Sequence, residues 1–492
     1  MDHRARVILL SLLAIGFTLY NAFTHYDQGS LSYDEGDYYQ AIRNGFWNNW
    51  MDADDVPTIE FIETGIKAVR GEITRSEMSK MIRSRESSAF CRHYHAPFAF
   101  HHPMLTRAIA PHMPEENQLR YGNFGLMILW ILILLVLALR EPTLFSPWLV
   151  LVPASANWIA SACAFNMHIP FGLALITMMM AWYAFEKDRT KVWLKRPALF
   201  SLAVAICSVE YSLIVIAMLS LWTLITLYRR KGEWRRLLQT RLGDLLWLSG
   251  FILLLWPAGL IKLGVLKSYA MQAYIALFRL DTIPHGFASF RDMIEWKWTS
   301  SPMELLLLIG VFAGMIWGWS KLLKRGSLFV SFGVLVAIAY IQFNPSLGGR
   351  WYLFPVFSLA FVFWLHVMSE RASFTKQRET VLAVIVAFIL FTLAQIEIEL
   401  PSYTKARHVR DAIATLSKPD VPIITVQGYV PPMAAYFPDR QVTGIHWTEI
   451  DSPEVQDSLE YWSKDHVVII PHDIPFTIEP DTLVEDVVMF VP

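Results

Sequence analysis

Long apolar runs separated by short polar connections dominate this chain. They fall at residues 7–23, 122–139, 144–165, 169–185, 198–209, 212–228, 245–260, 302–319, 327–341, 351–368 and 380–396. Most approach the ~20 residues that an α-helix needs to cross a bilayer, so the pattern predicts an α-helical polytopic membrane protein of about eleven transmembrane helices. The run 198–209 is short for a crossing; it must tilt or sink, with Glu210 and Tyr211 as a tight turn below the surface. A long polar segment, 24–121, separates the first two runs. Within it, 58–69 places Ile59, Ile62, Ile66 and Val69 on one helical face, the pattern of a helix lying on a membrane surface. The stretch 76–90 is more charged and reads as a second surface helix or a lid.

After the last run the texture changes. Residues 403–416 read as a helix, and 421–426, 466–470 and 486–491 as short buried strands, with Gly428, Pro431, Pro432 and Pro438 as punctuation between them. The expected organisation is a membrane domain over 1–396 and a small external α/β domain over 397–492, large enough for a modest core.

Composition sharpens this picture. The 492 residues are 54% hydrophobic and 17% charged, well below the roughly 25% charge of soluble domains. Nineteen Trp suit a chain that passes many times through the membrane interface, where indoles collect. The net charge of −1 and the lack of a basic block exclude nucleic acid as an expected partner. Cys91, Cys163 and Cys207 are too far apart for a disulfide framework or zinc knuckle to be read from them.

Cations set the expected sidedness. Lys187, Arg189, Lys191, Lys195 and Arg196 share one short connection; Arg229, Arg230, Lys231, Arg235, Arg236 and Arg241 share the next on the same side. Lys321, Lys324 and Arg325, then Arg371, Lys376 and Arg378, continue the series, and Arg4 and Arg6 precede the first run. The alternate connections are nearly free of positive charge. The positive-inside rule makes the first set cytoplasmic and the second external. An odd number of spans then puts the N-terminus inside and the C-terminus outside. No small-x-small site follows the first run, so it is read as an uncleaved anchor. The segments 24–121, 261–301 and 397–492 are expected to be external.

Candidate chemistry collects on that side. Tyr33-Asp34-Glu35-Gly36-Asp37-Tyr38-Tyr39 puts adjacent carboxylates at the mouth of the first span, where leaving them near lipid is costly. One of them could act as a general base at the membrane surface; Asp34 could equally cap the helix that 38–47 suggests. Cys91, His93, His95, His101 and His102 invite a divalent metal, yet their spacing matches no closed tetrahedral pattern, and Pro97 and Pro103 make the stretch loop-like. Lys262 and Lys267 lie nearest the seventh span, in a segment that mixes cations and aromatics; they suit a lipid phosphate or an interfacial anchor. Glu210 must pair with a cation or bond a sugar hydroxyl. No Walker pattern and no GxGxxG occurs, which argues against nucleotide-driven transport and against a nucleotide-sugar Rossmann domain.

In their order and common side, several pieces resemble the GT-C class of polytopic membrane glycosyltransferases, in particular the family 39 branch of protein mannosyltransferases and lipid A aminoarabinose transferases. These pieces are the acidic run, His101-His102-Pro103-Met104-Leu105, Asn166-Met167-His168-Ile169-Pro170, Glu210-Tyr211 and Gly348-Gly349-Arg350-Trp351-Tyr352-Leu353-Phe354-Pro355. The resemblance implies a sugar moved from a polyprenyl-phosphate donor to a lipid, glycan or protein acceptor outside the cytoplasm of a bacterial inner membrane. It implies Asp34 as the base and Glu35 as its partner, holding the loop or a cation. Arg350 would meet the donor phosphate, a role its planar permanent charge suits, and His102 would contact phosphate or sugar. Many relatives carry an acid where this chain has His168, which puts a second-carboxylate mechanism in doubt. A cofactor is not required, although a divalent metal is compatible. The alternative is a transporter or lipid flippase, but no internal repeat supports it, and the ionisable residues crowd the external ends.

Overall fold

The computed structural model describes residues 2–25, 57–74, 98–142, 147–155, 168–208, 234–257, 406–426, 429–445, 452–472, 480–484 and 487–492, with isolated positions between them that include Leu31, Glu35, Tyr38, Tyr39, Arg43 and Lys267. Asp34, Lys262, Glu210 and Arg350 lie outside the described residues, as do nearly all of the 212–228 run, the four expected spans after residue 300 and most of the 76–90 stretch.

The first helix, α1 (His3–His25), covers the first apolar run. Val7, Ser11, Ala14, Thr18 and Ala22 are buried along one stripe, while Leu9, Leu12, Leu13, Leu19 and Phe23 are exposed on the rest of the surface. That inversion of soluble-protein logic is expected of a helix bathed in lipid: small residues pack against protein and large apolar ones face outward. The Ser11 and Thr18 hydroxyls return to the carbonyls of Val7 and Ala14, so neither is left unsatisfied in an apolar setting.

Next comes α2 (Thr58–Val69), whose bounds match the amphipathic pattern. Its apolar face, Ile59, Ile62, Ile66 and Val69, is open rather than packed on protein, as a membrane-surface helix requires. Beyond it, α3 (Phe98–Ile109) corrects the loop expected around Pro103, because the helix runs through it, while Pro97 lies outside the described residues. Close packing on α4 (Glu115–Arg140) outweighs the one backbone bond that the proline removes. A Cβ added at Gly122 of α4 would lie 3.0 Å from the Pro103 nitrogen and 3.1 Å from the His102 carbonyl carbon, so glycine permits this approach.

Apolar helices α5 (His168–Lys187) and α6 (Lys195–Ile206) pack as a pair, and α7 (Trp234–Leu255) lies against α6. The short α6 is capped by Cys207, whose side chain is fully buried. The start of α7 corrects the sequence reading, which began the span at 245. Arg235, Arg236 and Arg241 belong to the helix, because long basic residues favour helix and can keep their charge at the interface. Among the described residues, His3–Phe23, Glu115–Arg140 and Leu238–Leu255 are long and apolar enough to cross a membrane.

The tail forms a mixed five-stranded sheet of order β2-β1-β3-β5-β4. Its elements are α8 (Ala406–Leu416), β1 (Ile423–Val426), α9 (Val430–Tyr436), β2 (Val442–Ile445), α10 (Pro453–Trp462), β3 (Val467–Pro471), β4 (Thr482–Val484) and β5 (Val487–Phe490). β1 runs parallel to both β2 and β3, while β5 is antiparallel to β3 and β4. Strands β1, β3 and β5 are buried throughout, apart from Pro471 at the end of β3, which explains their almost wholly apolar sequences, Thr425 of β1 being the polar exception. Pro431 and Pro432, expected as turn punctuation, instead occupy the first turn of α9, where a missing N–H removes no helical bond.

Candidate active site

The N-terminal turns of α4 are polar and yet buried. Glu116, Asn117, Gln118, Arg120 and Asn123 all lie below 9% exposure, at the end of the helix where the 24–121 segment and the tail converge. Buried polar groups are kept only when partners satisfy them, and here the partners come from three distant parts of the chain. Arg120 donates from Nε to Glu35 Oε1 and from its terminal nitrogen to Glu35 Oε2, both at 3.3 Å, with both side chains almost fully enclosed. This two-bond fork holds the carboxylate next to Asp34 in one orientation.

Two residues earlier, Gln118 accepts from the Tyr39 hydroxyl at 3.0 Å and donates to the Met113 carbonyl at 2.7 Å. Burial, then the charge of Glu115, raises the Tyr39 phenol above its ordinary range, so it stays protonated as a donor. The guanidiniums of Arg43 and Arg107 lie 5.0 and 5.9 Å from the Tyr39 ring centre, and Arg107 reaches the Ile42 carbonyl. The acidic run is thereby fastened to both α3 and α4.

His102 Nε2 bonds the Asn123 amide oxygen at 2.7 Å, so its ring is oriented by α4. Beside it, His101 is held down to a pKa of about 4, first by burial and then by repulsion from His102. From the tail, Tyr436 donates its hydroxyl to Glu116 Oε1 and accepts the Leu31 backbone N–H at 3.0 Å.

Of the residues singled out in the sequence, Glu35 and His102 are thus brought onto one helix. Lys267 is buried, and His168 opens α5. The α4 platform itself escaped the sequence reading, which began this span at 122. The available signal was the polar string Glu115-Glu116-Asn117-Gln118 running without a break into an apolar helix. Among the described residues, no group of three or more His, Cys, Asp or Glu side chains is placed to hold a metal ion.

The opposite end of the bundle is built differently. His3 bonds the Ala138 carbonyl, which places the start of α1 beside the end of α4. There Lys191 pairs with Glu141, and Lys195 with Asp244, which Arg241 also reaches at 3.4 Å. Arg140, Arg196 and Arg241 stand 5.2, 4.7 and 5.6 Å from the rings of Trp193, Trp247 and Trp182.

No protein-family model matches the chain, and no curated protein matches it in sequence. Solved structures do. The archaeal oligosaccharyltransferase AglB from Archaeoglobus fulgidus, in complex with an inhibitory peptide and a dolichol-phosphate, aligns with 96% of this chain and 69% of its own at 10% identity and a TM-score of 0.57. ArnT from Cupriavidus metallidurans, bound to undecaprenyl phosphate, aligns over 98% of this chain and 97% of its own at 14% identity and a TM-score of 0.55. A structure of the same Archaeoglobus fulgidus enzyme complexed with Zn and sulfate aligns over 95% and 68% at 12% identity and a TM-score of 0.51. Identities this low report architecture rather than shared residues, and the architecture is the one this chain has in common with AglB and ArnT.

Proposed function

We propose that this protein is a glycosyltransferase of the external membrane face, moving a sugar from a polyprenyl-phosphate donor to a lipid, glycan or protein acceptor. The observation that carries the reading is the buried fork between Glu35 and Arg120. It engages one carboxylate of the acidic pair, Glu35, with Arg120, and the reading assigns the chemistry to the other, Asp34. In this reading Asp34 removes a proton from the acceptor, or orients it, as the nucleophile attacks the anomeric carbon. The bond to the lipid phosphate breaks on the opposite face, so the sugar is inverted. Positive charge builds at the ring and negative charge on the leaving phosphate, and Arg350, Lys262 and Lys267 are the cations proposed to stabilise the phosphate. His102, oriented by Asn123, is proposed to contact phosphate or sugar, and Glu210 and His168 to complete the sugar pocket. A divalent metal is compatible with this reading but not required by it. The fold likeness supports the class of reaction, and the charge asymmetry of the connections supports the external side.

Substitution of Asp34 by Asn tests the reading in purified full-length protein. The expected result is normal membrane insertion, normal retention of undecaprenyl phosphate and loss of transfer by at least ~100-fold, the lower range for a general base. Retained transfer would remove Asp34 from that role.

A further inference from the structure

Tyr436 lies in the tail, yet its hydroxyl sits between the backbone N–H of Leu31 and the carboxylate of Glu116, residues 405 and 320 positions away. Leu31 is fully buried and stands three residues before Asp34. Glu116 is 2% exposed, and its second oxygen, Oε2, has no hydrogen-bond partner among the described residues. Arg410 of α8 covers the Tyr436 ring at 4.9 Å and reaches Glu115 at 3.9 Å, bringing positive charge to two adjacent carboxylates. A phenol that both accepts from one group and donates to another imposes more geometry than apolar packing, because both bonds must form at once.

We propose that Tyr436 is a positioning residue: the tail completes the active site by clamping the start of the acidic segment to α4 through the Leu31–Tyr436–Glu116 chain. This rests on the reading of that segment as catalytic. The hydroxyl remains a donor at all working pH values, because burial and then the Glu116 charge hold the phenol far above its usual range. The clamp complements the Glu35–Arg120 fork, so the segment is pinned on both sides of Asp34, and neither pin requires substrate. Without the phenol oxygen, Leu31 loses its acceptor and the Glu116 carboxylate its donor, while the ring and its packing persist.

Full-length Tyr436→Phe and Glu116→Gln test this in detergent. Hydrogen exchange by mass spectrometry reads the clamp directly. In Tyr436→Phe, peptides spanning residues 31–43 should exchange about tenfold faster, the effect of ~1.4 kcal/mol, while those from β3 and β5 should not change. Glu116→Gln, which keeps an acceptor oxygen, should stay near wild type. Turnover is then followed with undecaprenyl phosphate carrying glucose, mannose or aminoarabinose. For whichever donor the wild type uses, Tyr436→Phe should lower kcat about tenfold and leave KM for the donor within about twofold, given the same free-energy change. Unchanged exchange at 31–43, or a loss in KM alone, overturns the inference. A wild-type protein that neither retains undecaprenyl phosphate nor turns over any of these donors defeats the functional reading instead, and the exchange data still decide whether the clamp exists.

Discussion

The two ends of the helical bundle both gather charge, but they spend it differently. At the end where α4 begins, ion pairs and hydrogen bonds are enclosed and join residues remote in sequence: Glu35 with Arg120, Tyr436 with Glu116, His102 with Asn123. At the other end, Lys191 is 30% exposed in its pair with Glu141, and arginines lie across tryptophans, a grouping suited to the headgroup region. An enclosed pair tolerates little displacement because each partner depends on the other for solvation. A partly exposed lysine such as Lys191 can take water in place of its partner. The first arrangement fixes the position of a particular segment; the second fixes only depth and orientation.

The largest break in this contrast should come from Arg120→Ala. It leaves the Glu35 carboxylate enclosed without its fork, which in buried pairs costs about 3–5 kcal/mol. We expect a marked fall in the thermal midpoint in detergent and loss of transfer. Arg120→Lys should recover only part, since an ammonium cannot reproduce two parallel bonds. A loss of less than about 1 kcal/mol, the level of an exposed pair, would mean that the two ends do not differ in kind.

Acid should then weaken the α4 end. His101 is half-buried with its Nε2 sealed from solvent, and its folded pKa of about 4 lies below its ordinary 6.5. The unfolded chain therefore binds the proton more readily between these values. The stability that neutral His101 permits is complete above pH 6.5, declines as pH falls through the window and is lost by pH 4. The full span corresponds to about 3 kcal/mol, and a drop from pH 7 to 5 to about 2 kcal/mol. Thermal midpoints measured across this range should fall for the wild type and fall less for His101→Gln. An identical slope in the variant would assign the acid sensitivity to another group.

What the sequence revealed follows the same division. Apolar periodicity reported α1 and α2 well because their environment is uniform: lipid or interface on one side, protein on the other. The residues 58–69 could be bounded from their pattern alone, and the open face of the helix matches that pattern. The start of α4 was not legible. Glu116 through Arg120 look like solvated loop residues, and they are buried because Leu31, Glu35, Tyr39 and Tyr436 come from elsewhere to cover them. Local composition contains no record of a partner 320 residues away. Pro103 and Pro431 misled for a related reason: proline's local preference yielded to close packing at Gly122 in one case and to a first-turn position in the other.

The smallest effect belongs to the basic end. Arg196 lies 4.7 Å from the ring centre of Trp247, whose side is 47% exposed. At such a site a cation–π contact is worth about 0.5–1 kcal/mol, and the aliphatic stem adds packing that a lysine largely retains. Arg196→Ala should therefore lower the thermal midpoint slightly, and Arg196→Lys hardly at all. Neither should alter hydrogen exchange in residues 31–43, because nothing at this end touches that segment among the described contacts. The comparison is sharpest when all variants are measured in the same detergent against Arg120→Ala. If Arg196→Ala loosened the 31–43 segment, the two ends would be mechanically coupled through the bundle, and the division between a positioning end and an anchoring end would have to be abandoned.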